Sequence, residues 1–400
     1  MARKKTQGEQ LLEQRKSGRF SKKNSAYFDY SLLAVIILLT CFGLIMLYST
    51  SSYTAQMSQG DDMFFFKKQA IISTGCIIFA IVISHIDYHS LERFIFPLYF
   101  LAAVLMILVR TPLGVTANGA RRWLQIGPVQ FQPAEVSKIA VIVLLSYLII
   151  SMGRNVKTLK GCFVLGAWGG VQALLAYVCT DNLSTAIIIF AITAGLIFVA
   201  YPDMKPFIIG FLIGAVLIII LVLYLTSMSD SGGSFRVRRI QVWLHPENFA
   251  KDDGYQTLQA LYAIGSGGLF GRGLGNSIQK LGSVPEAHND MIFSIICEEL
   301  GIFGGVFVLV LFGYLLYRLF FIAQNAPDMF GALLVSGIFI HIALQVILNI
   351  AVVVNLLPNT GVTLPFISYG GTSILFLMSE MGLALSVSRK IKIEKTEVLL

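Results

Sequence analysis

The chain has 400 residues, of which 56% are hydrophobic and only 13% are charged, and its net charge is +8. Ordinary soluble domains contain about 25% charged residues, so the composition excludes a soluble domain, a disordered chain and a small disulfide scaffold. It predicts an all-α polytopic membrane protein whose helices are surrounded by lipid. The positive charge is concentrated in an N-terminal tail with no basic groove interleaved with aromatic residues, so no nucleic-acid partner is expected.

Ten apolar stretches approach or exceed the length of about 20 residues that crosses a membrane. They predict transmembrane helices at 30–50, 69–86, 94–110, 133–152, 162–179, 183–201, 205–226, 291–317, 330–354 and 367–388. The predicted organisation is a basic cytoplasmic tail at 1–28, a transmembrane domain at 29–389 and a cytoplasmic C-terminal tail at 390–400. Helices 7 and 8 are joined by a large extracytoplasmic loop at 227–290, part of which is expected to fold back onto the membrane surface.

The basic residues predict the orientation, because Lys and Arg are enriched in short cytoplasmic segments. With the N-terminus inside, the cytoplasmic segments contain 18 of them and the short outer segments contain five. Ten spans also place the basic C-terminal tail inside. Both ends therefore favour a multi-pass plasma-membrane protein with cytoplasmic termini.

The first candidate site segment, 118–138, precedes and begins the fourth predicted span. Arg121 and Arg122 are predicted on the outer face, where guanidinium groups suit phosphate oxygens, although membrane-surface anchoring explains them equally well. Pro133 fits the first turn of the helix. Glu135 and Lys138 are spaced to pair on it; Glu135 also suits a simple helix start. A lysine within a membrane span is expensive, which favours Lys138 as a ligand for an anionic headgroup.

The large loop contains further basic candidates. Arg236 and Arg239 share a face if their segment is helical, and they could bind a lipid phosphate or form a solvated basic face. Lys280 is a third candidate for substrate binding. The glycines between 254 and 275 do not form a nucleotide-binding loop, because no βαβ unit is possible there. They are expected to permit tight turns and close packing at the bilayer surface.

Two acidic residues and a histidine cluster at the end of this loop. Glu286, His288 and Asp290 lie just before the eighth span, at the predicted boundary between water and membrane. Partial burial should raise the pKa of Asp290, which suits a general base. The alternative is that Asn289 or Asp290 simply caps the helix.

The last candidate segment, 356–373, is rich in proline and glycine and should break the helix between the final two spans. Irregular backbone at membrane depth is tolerated where it lines a cavity. Ser368 and Tyr369 are therefore candidate cavity residues, and a plain connecting turn is the alternative.

These segments together resemble the SEDS family (shape, elongation, division and sporulation), typified by FtsW, RodA and SpoVE. The resemblance covers nearly all of 28–390 and is carried by 119–138, 254–280, 285–290 and 357–373. Ala287 and the stretch 276–281 are closer to the FtsW and SpoVE types than to RodA. Asn289 and Met291 depart from the common pattern. So does the turn 181–185, which is therefore left out of the core site.

The resemblance implies ten transmembrane helices, a peptidoglycan glycosyltransferase that polymerises lipid II, and Asp290 as its essential acidic residue. It also implies a complex with a class B penicillin-binding protein, a transpeptidase, and a setting among other divisome proteins at the septum. The leaving diphosphate would be stabilised by Arg121, Arg122, Lys138, Arg236 or Arg239, with or without Mg²⁺ or Mn²⁺. No organic cofactor or resident metal site is expected. A lipid II flippase, a division scaffold and an O-acyltransferase using His288 remain alternatives.

Overall fold

The computed structural model describes residues 27–392, apart from 118–119, 128, 253, 282–283 and most of 202–234. Most of the seventh predicted span at 205–226 and most of both predicted tails therefore lie outside the described residues. The rest is a bundle of long helices. They are α1 (Tyr30–Gln59), α2 (Phe64–His85), α3 (Ile95–Leu108), α4 (Pro133–Met152), α5 (Leu159–Cys179), α6 (Leu183–Ala200), α7 (Phe235–Leu244), α8 (Tyr255–Gly267), α9 (Ile292–Gln324), α10 (Met329–Val353) and α11 (Ser373–Arg389).

Eight helical stretches among the described residues are long and apolar enough to cross a membrane. Their positions agree with predicted spans one to six, eight and nine. The first is longer than predicted, because its polar C-terminal turns stay helical until Gly60 ends it with a left-handed φ of 72°. The tenth predicted span is shorter: α11 begins at Ser373 rather than 367, after a turn that contains Gly370 and Gly371.

Helices α4 and α10 lie at the centre of the bundle, where 56% of the apolar stretch of each is buried, compared with 22% for α2. They pack closely, since a Cβ added to Gly337 of α10 would lie 2.6 Å from Ile142 of α4. Large apolar side chains such as Ile71 and Phe163 are about three-quarters exposed, at 74% and 77%. Such an apolar exterior suits lipid rather than water.

One end of the bundle carries a three-stranded antiparallel sheet that the sequence analysis did not predict. Its strands are β1 (Gly114–Ala117), β2 (Ala120–Ile126) and β3 (Val129–Phe131), in the order β1-β2-β3. Side chains alternate between the two faces of a strand. Arg122 therefore shares a face with the buried Leu124, whereas Arg121 lies on the opposite face. We call this end of the molecule the sheet end.

The glycine-rich turn after α8 packs directly on the backbone of α9; the tight turns and close packing were predicted, but α9 as the packing partner was not. Gly301 interrupts α9 with φ 69° and ψ −165°, and a Cβ added there would lie 2.3 Å from the carbonyl oxygen of Leu269. The amides of Arg272 and Gly273 donate to the carbonyl oxygens of Glu298 and Glu299, at 3.0 and 2.9 Å. The turn and the helix therefore form one unit next to the predicted catalytic segment.

Candidate active site

The segment 285–290 and the loop 354–372 meet at the sheet end and are tied together by hydrogen bonds. The side-chain amide of Asn349, near the end of α10, donates to the carbonyl oxygens of Asp290 and Val362, at 2.8 and 2.7 Å. The backbone amide of Tyr369 donates to the carbonyl oxygen of His288 at 2.9 Å. Polar side chains on two distant parts of the chain thus line one site.

Asp290 is buried within this site, with only 9% of its surface exposed. Its Oδ1 atom has no hydrogen-bond partner among the described residues. Burial, followed by the negative charge of Glu286, raises the pKa of Asp290 from 3.8 to about 7. The expected rise in pKa is therefore confirmed. The helix-cap alternative is wrong, because α9 begins after Met291 with no side-chain cap.

Arg122 faces the same site from strand β2. Its Nε atom is buried without a partner among the described residues. Burial and the nearby positive charge of Arg239 lower the pKa of this guanidinium, while Asp181 opposes the change. A Cβ added to Gly361 would lie 3.8 Å from Arg122 Nη1 and 3.9 Å from Asp290 Oδ2. The cation and the carboxylate therefore both lie close to one glycine.

The second guanidinium comes from α7, which confirms that the segment around Arg239 is helical. Arg239 Nη1 donates to the carbonyl oxygen of Asn359 at 3.5 Å, in the loop that contains Gly361. Arg236 lies on the same helix, but its side chain is outside the described part of the chain. Two guanidinium groups close enough to influence each other favour an anion between them.

The structure gives Arg121 a different environment. Its guanidinium donates to the carbonyl oxygens of Arg110, Thr111 and Gly114, at 3.2, 2.7 and 3.2 Å. These bonds fix the chain that leads into β1. We therefore separate Arg121 from Arg122, which the strand places on the other face.

Lys280 also belongs to a buried structural network. Its Nζ atom lies 2.9 Å from Glu299 Oε1 and 3.0 Å from Ser49 Oγ. Its side chain is 7% exposed and that of Glu299 is fully buried. The lysine therefore neutralises a buried carboxylate of α9 and joins the large loop to α1. This contact accounts for Lys280 without a substrate.

Glu135 and Lys138 form the ion pair that their spacing predicted, with a distance of 2.9 Å. Pro133 is the first residue of α4. Both side chains are nearly buried, at 10% and 3% exposure. Thr372 ties the beginning of α11 to this region, because its hydroxyl donates to the carbonyl oxygen of Gln130 at 3.0 Å. A direct contact of the pair with substrate stays a prediction.

Three rings form an aromatic cluster beside the Asp290 segment. His288 stacks on Phe65 with centroids 5.5 Å apart, and Tyr369 meets Phe65 edge-on at 5.4 Å. Burial lowers the pKa of His288, which favours the neutral imidazole at pH 7. Ser368 is 6% exposed, and its hydroxyl oxygen accepts a hydrogen bond from the amide of Leu364 at 2.9 Å. Ser368 thus stabilises the turn.

Several residues of the site were missed by the sequence analysis. Phe65 and Asn349 join segments that are far apart in the chain, and no local spacing marks them. The turn 181–185, which was left out, borders the site: Asp181 is among the charges that act on Arg122. Ser184 also donates to the carbonyl oxygen of Thr360 at 3.0 Å. The signal that could have identified this turn was its correspondence to a turn in the common pattern of the SEDS family.

Comparison with known proteins identifies the family of the chain. Residues 29–393 match the family model described as "Cell cycle protein", which covers FtsW, RodA and SpoVE. Stage V sporulation protein E of Bacillus subtilis is 37% identical over 370 residues, covering 92% of this chain and 98% of the relative. A probable peptidoglycan glycosyltransferase FtsW of the same organism is 36% identical and covers 93% of each chain. A solved chain described under "structural coordination of polymerization and crosslinking by a peptidoglycan synthase complex" aligns with a TM-score of 0.74 at 25% identity, covering 90% of this chain and 98% of that chain.

Proposed function

Since the chain belongs to the cell cycle protein family of FtsW, RodA and SpoVE, we propose that this multi-pass membrane protein is a peptidoglycan glycosyltransferase. In this proposal it polymerises lipid II into β-(1→4) glycan strands and releases undecaprenyl diphosphate. A relative named as such an enzyme, similar over 93% of both chains, supports the proposal. The observation that carries it is the buried Asp290 carboxylate with a pKa of about 7, placed beside Arg122.

The reaction requires a base and an anion-binding group at two different atoms. The 4-hydroxyl oxygen of the acceptor sugar attacks the anomeric carbon of the donor, and its proton passes to Asp290. A new carbon–oxygen bond forms as the bond to the diphosphate oxygen breaks, and the electron pair leaves with the diphosphate. Direct displacement converts an α-linked donor into a β-linked glycan. A base is most effective when its pKa lies near the working pH, and that of Asp290 is about 7.

Binding of the leaving diphosphate is assigned to arginine side chains. Arg122 presents a buried Nε atom without a partner among the described residues, and Arg239 lies close enough to lower its pKa. A diphosphate between them would satisfy the donor and relieve the repulsion. Arg236 is retained as a candidate on the same helix, and the Glu135–Lys138 pair is retained as a secondary one.

A divalent cation is proposed here as a companion of the substrate. Among the described residues, no group of three or more His, Cys, Asp or Glu side chains could hold a metal ion. Mg²⁺ commonly takes most of its ligands from water and substrate phosphates. We therefore propose that Mg²⁺ or Mn²⁺, where required, arrives on the diphosphate and adds to its charge stabilisation.

The cellular location and the protein partner of the enzyme are inferred from the same relatives. We propose that it acts at the septum of a bacterial plasma membrane, with both termini in the cytoplasm and the Asp290 site on the outer face. We also propose a class B penicillin-binding protein as its working partner, because the aligned solved chain comes from a complex that joins polymerisation and crosslinking. Other divisome proteins are expected around this pair.

The proposal is tested by glycan assembly from purified lipid II with the chain and its cognate transpeptidase. Wild type, Asp290→Asn and Glu247→Gln are compared, because Glu247 is an exposed carboxylate of the same large segment. Polymer from wild type and Glu247→Gln but none from Asp290→Asn is the expected result. Polymer from all three would retain the enzyme and refute Asp290 as its base. Absence of polymer from all, with the complex intact and Mg²⁺ or Mn²⁺ present, would refute the enzyme and favour a flippase or scaffold.

A further inference from the structure

A cavity lies beside the catalytic segment. Of the residues that line it, Arg239 alone has a part in the chemistry described above. The cavity has a volume of about 290 Å³ and is lined by Arg239, Trp243, Tyr255, Gln256, Asn355 and Asn359, among others. One wall is α7, the second is the beginning of α8, and the third is the loop after α10. We call this cavity the Trp243 groove.

The walls of the groove are joined to one another by hydrogen bonds. Trp243 Nε1 donates to the carbonyl oxygen of Asn355 at 3.1 Å, and Asn355 Nδ2 donates back to the carbonyl oxygen of Trp243 at 3.4 Å. Asn359 Nδ2 donates to Gln256 Oε1 at 2.9 Å. The three walls are therefore held in a fixed arrangement before any ligand binds, which reduces the ordering cost of binding.

The groove has the chemical character of a sugar-binding site. Trp243 and Tyr255 supply large rings whose faces suit the apolar C–H face of a pyranose. The primary amides of Gln256, Asn355 and Asn359 each carry two donors and one acceptor oxygen, and so can bind hydroxyl and acetamido groups. A cavity with aromatic walls and a few fixed polar groups is typical of small-ligand sites.

The groove is connected to the catalytic site at one end. Pro285, part of its lining, begins the segment that ends at Asp290, and Gln256 Nε2 donates to the Pro285 carbonyl oxygen at 3.4 Å. Asn359 accepts a hydrogen bond from the amide of Gly361 at 3.1 Å, and Gly361 lies close to both Arg122 and Asp290. Most of the lining comes from α7 and the beginning of α8, neither of which is among the membrane-spanning stretches.

We propose that the Trp243 groove binds the growing glycan strand, at sugars beyond the disaccharide that reacts. This inference rests on the proposed function. Each acceptor brings only one disaccharide, which its own diphosphate holds at the membrane. The donor strand is the one substrate that lengthens, and its sugars extend away from the diphosphate at Arg122. A groove that adjoins the catalytic segment and is lined mainly by helices outside the membrane-spanning stretches therefore fits the donor strand, and binding there retains the strand between additions.

The test compares the product length with the rate of the first coupling. Trp243→Ala and Tyr255→Ala are assembled with the cognate transpeptidase and supplied with lipid II, and strands are separated by gel electrophoresis. Removal of one aromatic anchor is expected to shorten the mean strand about tenfold, because an anchor contact worth about 1.4 kcal/mol corresponds to a factor of ten in retention. The rate of joining the first two lipid II molecules should stay within about twofold of wild type.

Two matched variants distinguish a loss of ring stacking on the sugar from a general effect on folding. Trp243→Phe keeps a ring but loses the indole donor, and should retain most of the strand length. Phe270→Ala removes an aromatic side chain of the same large segment that is 79% exposed and contacts Phe303; it should resemble wild type. Unchanged strand length in Trp243→Ala would refute the groove. An equal loss of first coupling and elongation would also refute it, whereas an inactive wild type would instead refute the proposed function.

A binding measurement gives a readout that does not depend on turnover. The full chain is titrated with a peptide-free GlcNAc–MurNAc tetrasaccharide and, separately, with the free stem pentapeptide, while tryptophan fluorescence is recorded. The tetrasaccharide should change the emission of wild type and not of Trp243→Phe. A response to the pentapeptide alone would overturn the proposal and assign the groove to the peptide.

Discussion

Replacing Asp290 with asparagine is expected to stabilise the folded protein above neutral pH while it removes activity. The pKa of Asp290 is raised from 3.8 to about 7 by burial and by Glu286. The folded state thus holds the proton more tightly than the unfolded state, so its stability falls as the pH rises from about 4 to 7. At 1.36 kcal/mol per pKa unit, ionising this buried carboxylate costs about 4 kcal/mol of unfolding free energy at pH 8. Asparagine has a similar shape and carries no such charge.

The assay is chemical unfolding of the purified chain in detergent at pH 5 and pH 8. The gain for Asp290→Asn should be about 4 kcal/mol at pH 8 and about 2 kcal/mol at pH 5, because the carboxyl is largely protonated in the folded protein at the lower pH. Glu247→Gln serves as the control and should change neither value, since Glu247 is exposed. Equal gains at both pH values, or a loss at pH 8, would show that Asp290 is not held in a desolvated environment.

Three further predictions concern the groups around Asp290. Polymerisation should rise about tenfold between pH 6 and pH 8 as Asp290 ionises, and Glu286→Gln should move the midpoint of this profile to lower pH; a flat wild-type profile would contradict the assignment. Arg122→Ala should lower kcat by about 10²–10³-fold through loss of charge stabilisation, whereas Arg121→Ala should mainly lower the unfolding temperature; equal kcat losses would refute their separation. Asn349→Leu leaves the carbonyl oxygens of Asp290 and Val362 without their donor, and should destabilise the protein by about 1–3 kcal/mol; unchanged unfolding would show that the bonds Asn349 makes are dispensable.

The membrane helices were predictable because lipid requires each crossing segment to satisfy its own backbone with apolar side chains outside. The Glu135–Lys138 pair was predictable for a similar local reason, since residues three apart on a helix are neighbours. The choice between Arg121 and Arg122 was not. It depends on β2, a strand of seven residues whose alternation is too brief to be recognised between two apolar spans.

The contacts that assemble the site could not be read from sequence spacing either. Asn349 reaches the carbonyl oxygen of Asp290 across 59 positions of the chain. Lys280 carries a charge in a loop that was expected to meet the substrate, yet the fold places it against Glu299, two turns into α9. Which charged residue meets a buried partner and which faces the cavity is decided by tertiary packing. The sequence identifies the candidate charged residues, and the tertiary structure shows which of them are structural and which face the site.

The position of Gly361 explains how a base and a cation can work side by side. An arginine in direct contact with Asp290 would lower the pKa of the carboxyl and weaken it as a base. Arg122 Nη1 and Asp290 Oδ2 both lie on the side of Gly361 where a Cβ would stand, 3.8 and 3.9 Å from that position. Gly361 has φ +69°, a conformation that residues with a side chain rarely adopt, so no side chain fills this space. Asp290 keeps a pKa of about 7 and an unpartnered oxygen, while Arg122 keeps a buried donor. Each group can therefore act on its own atom of the reaction, the hydroxyl proton or the departing diphosphate.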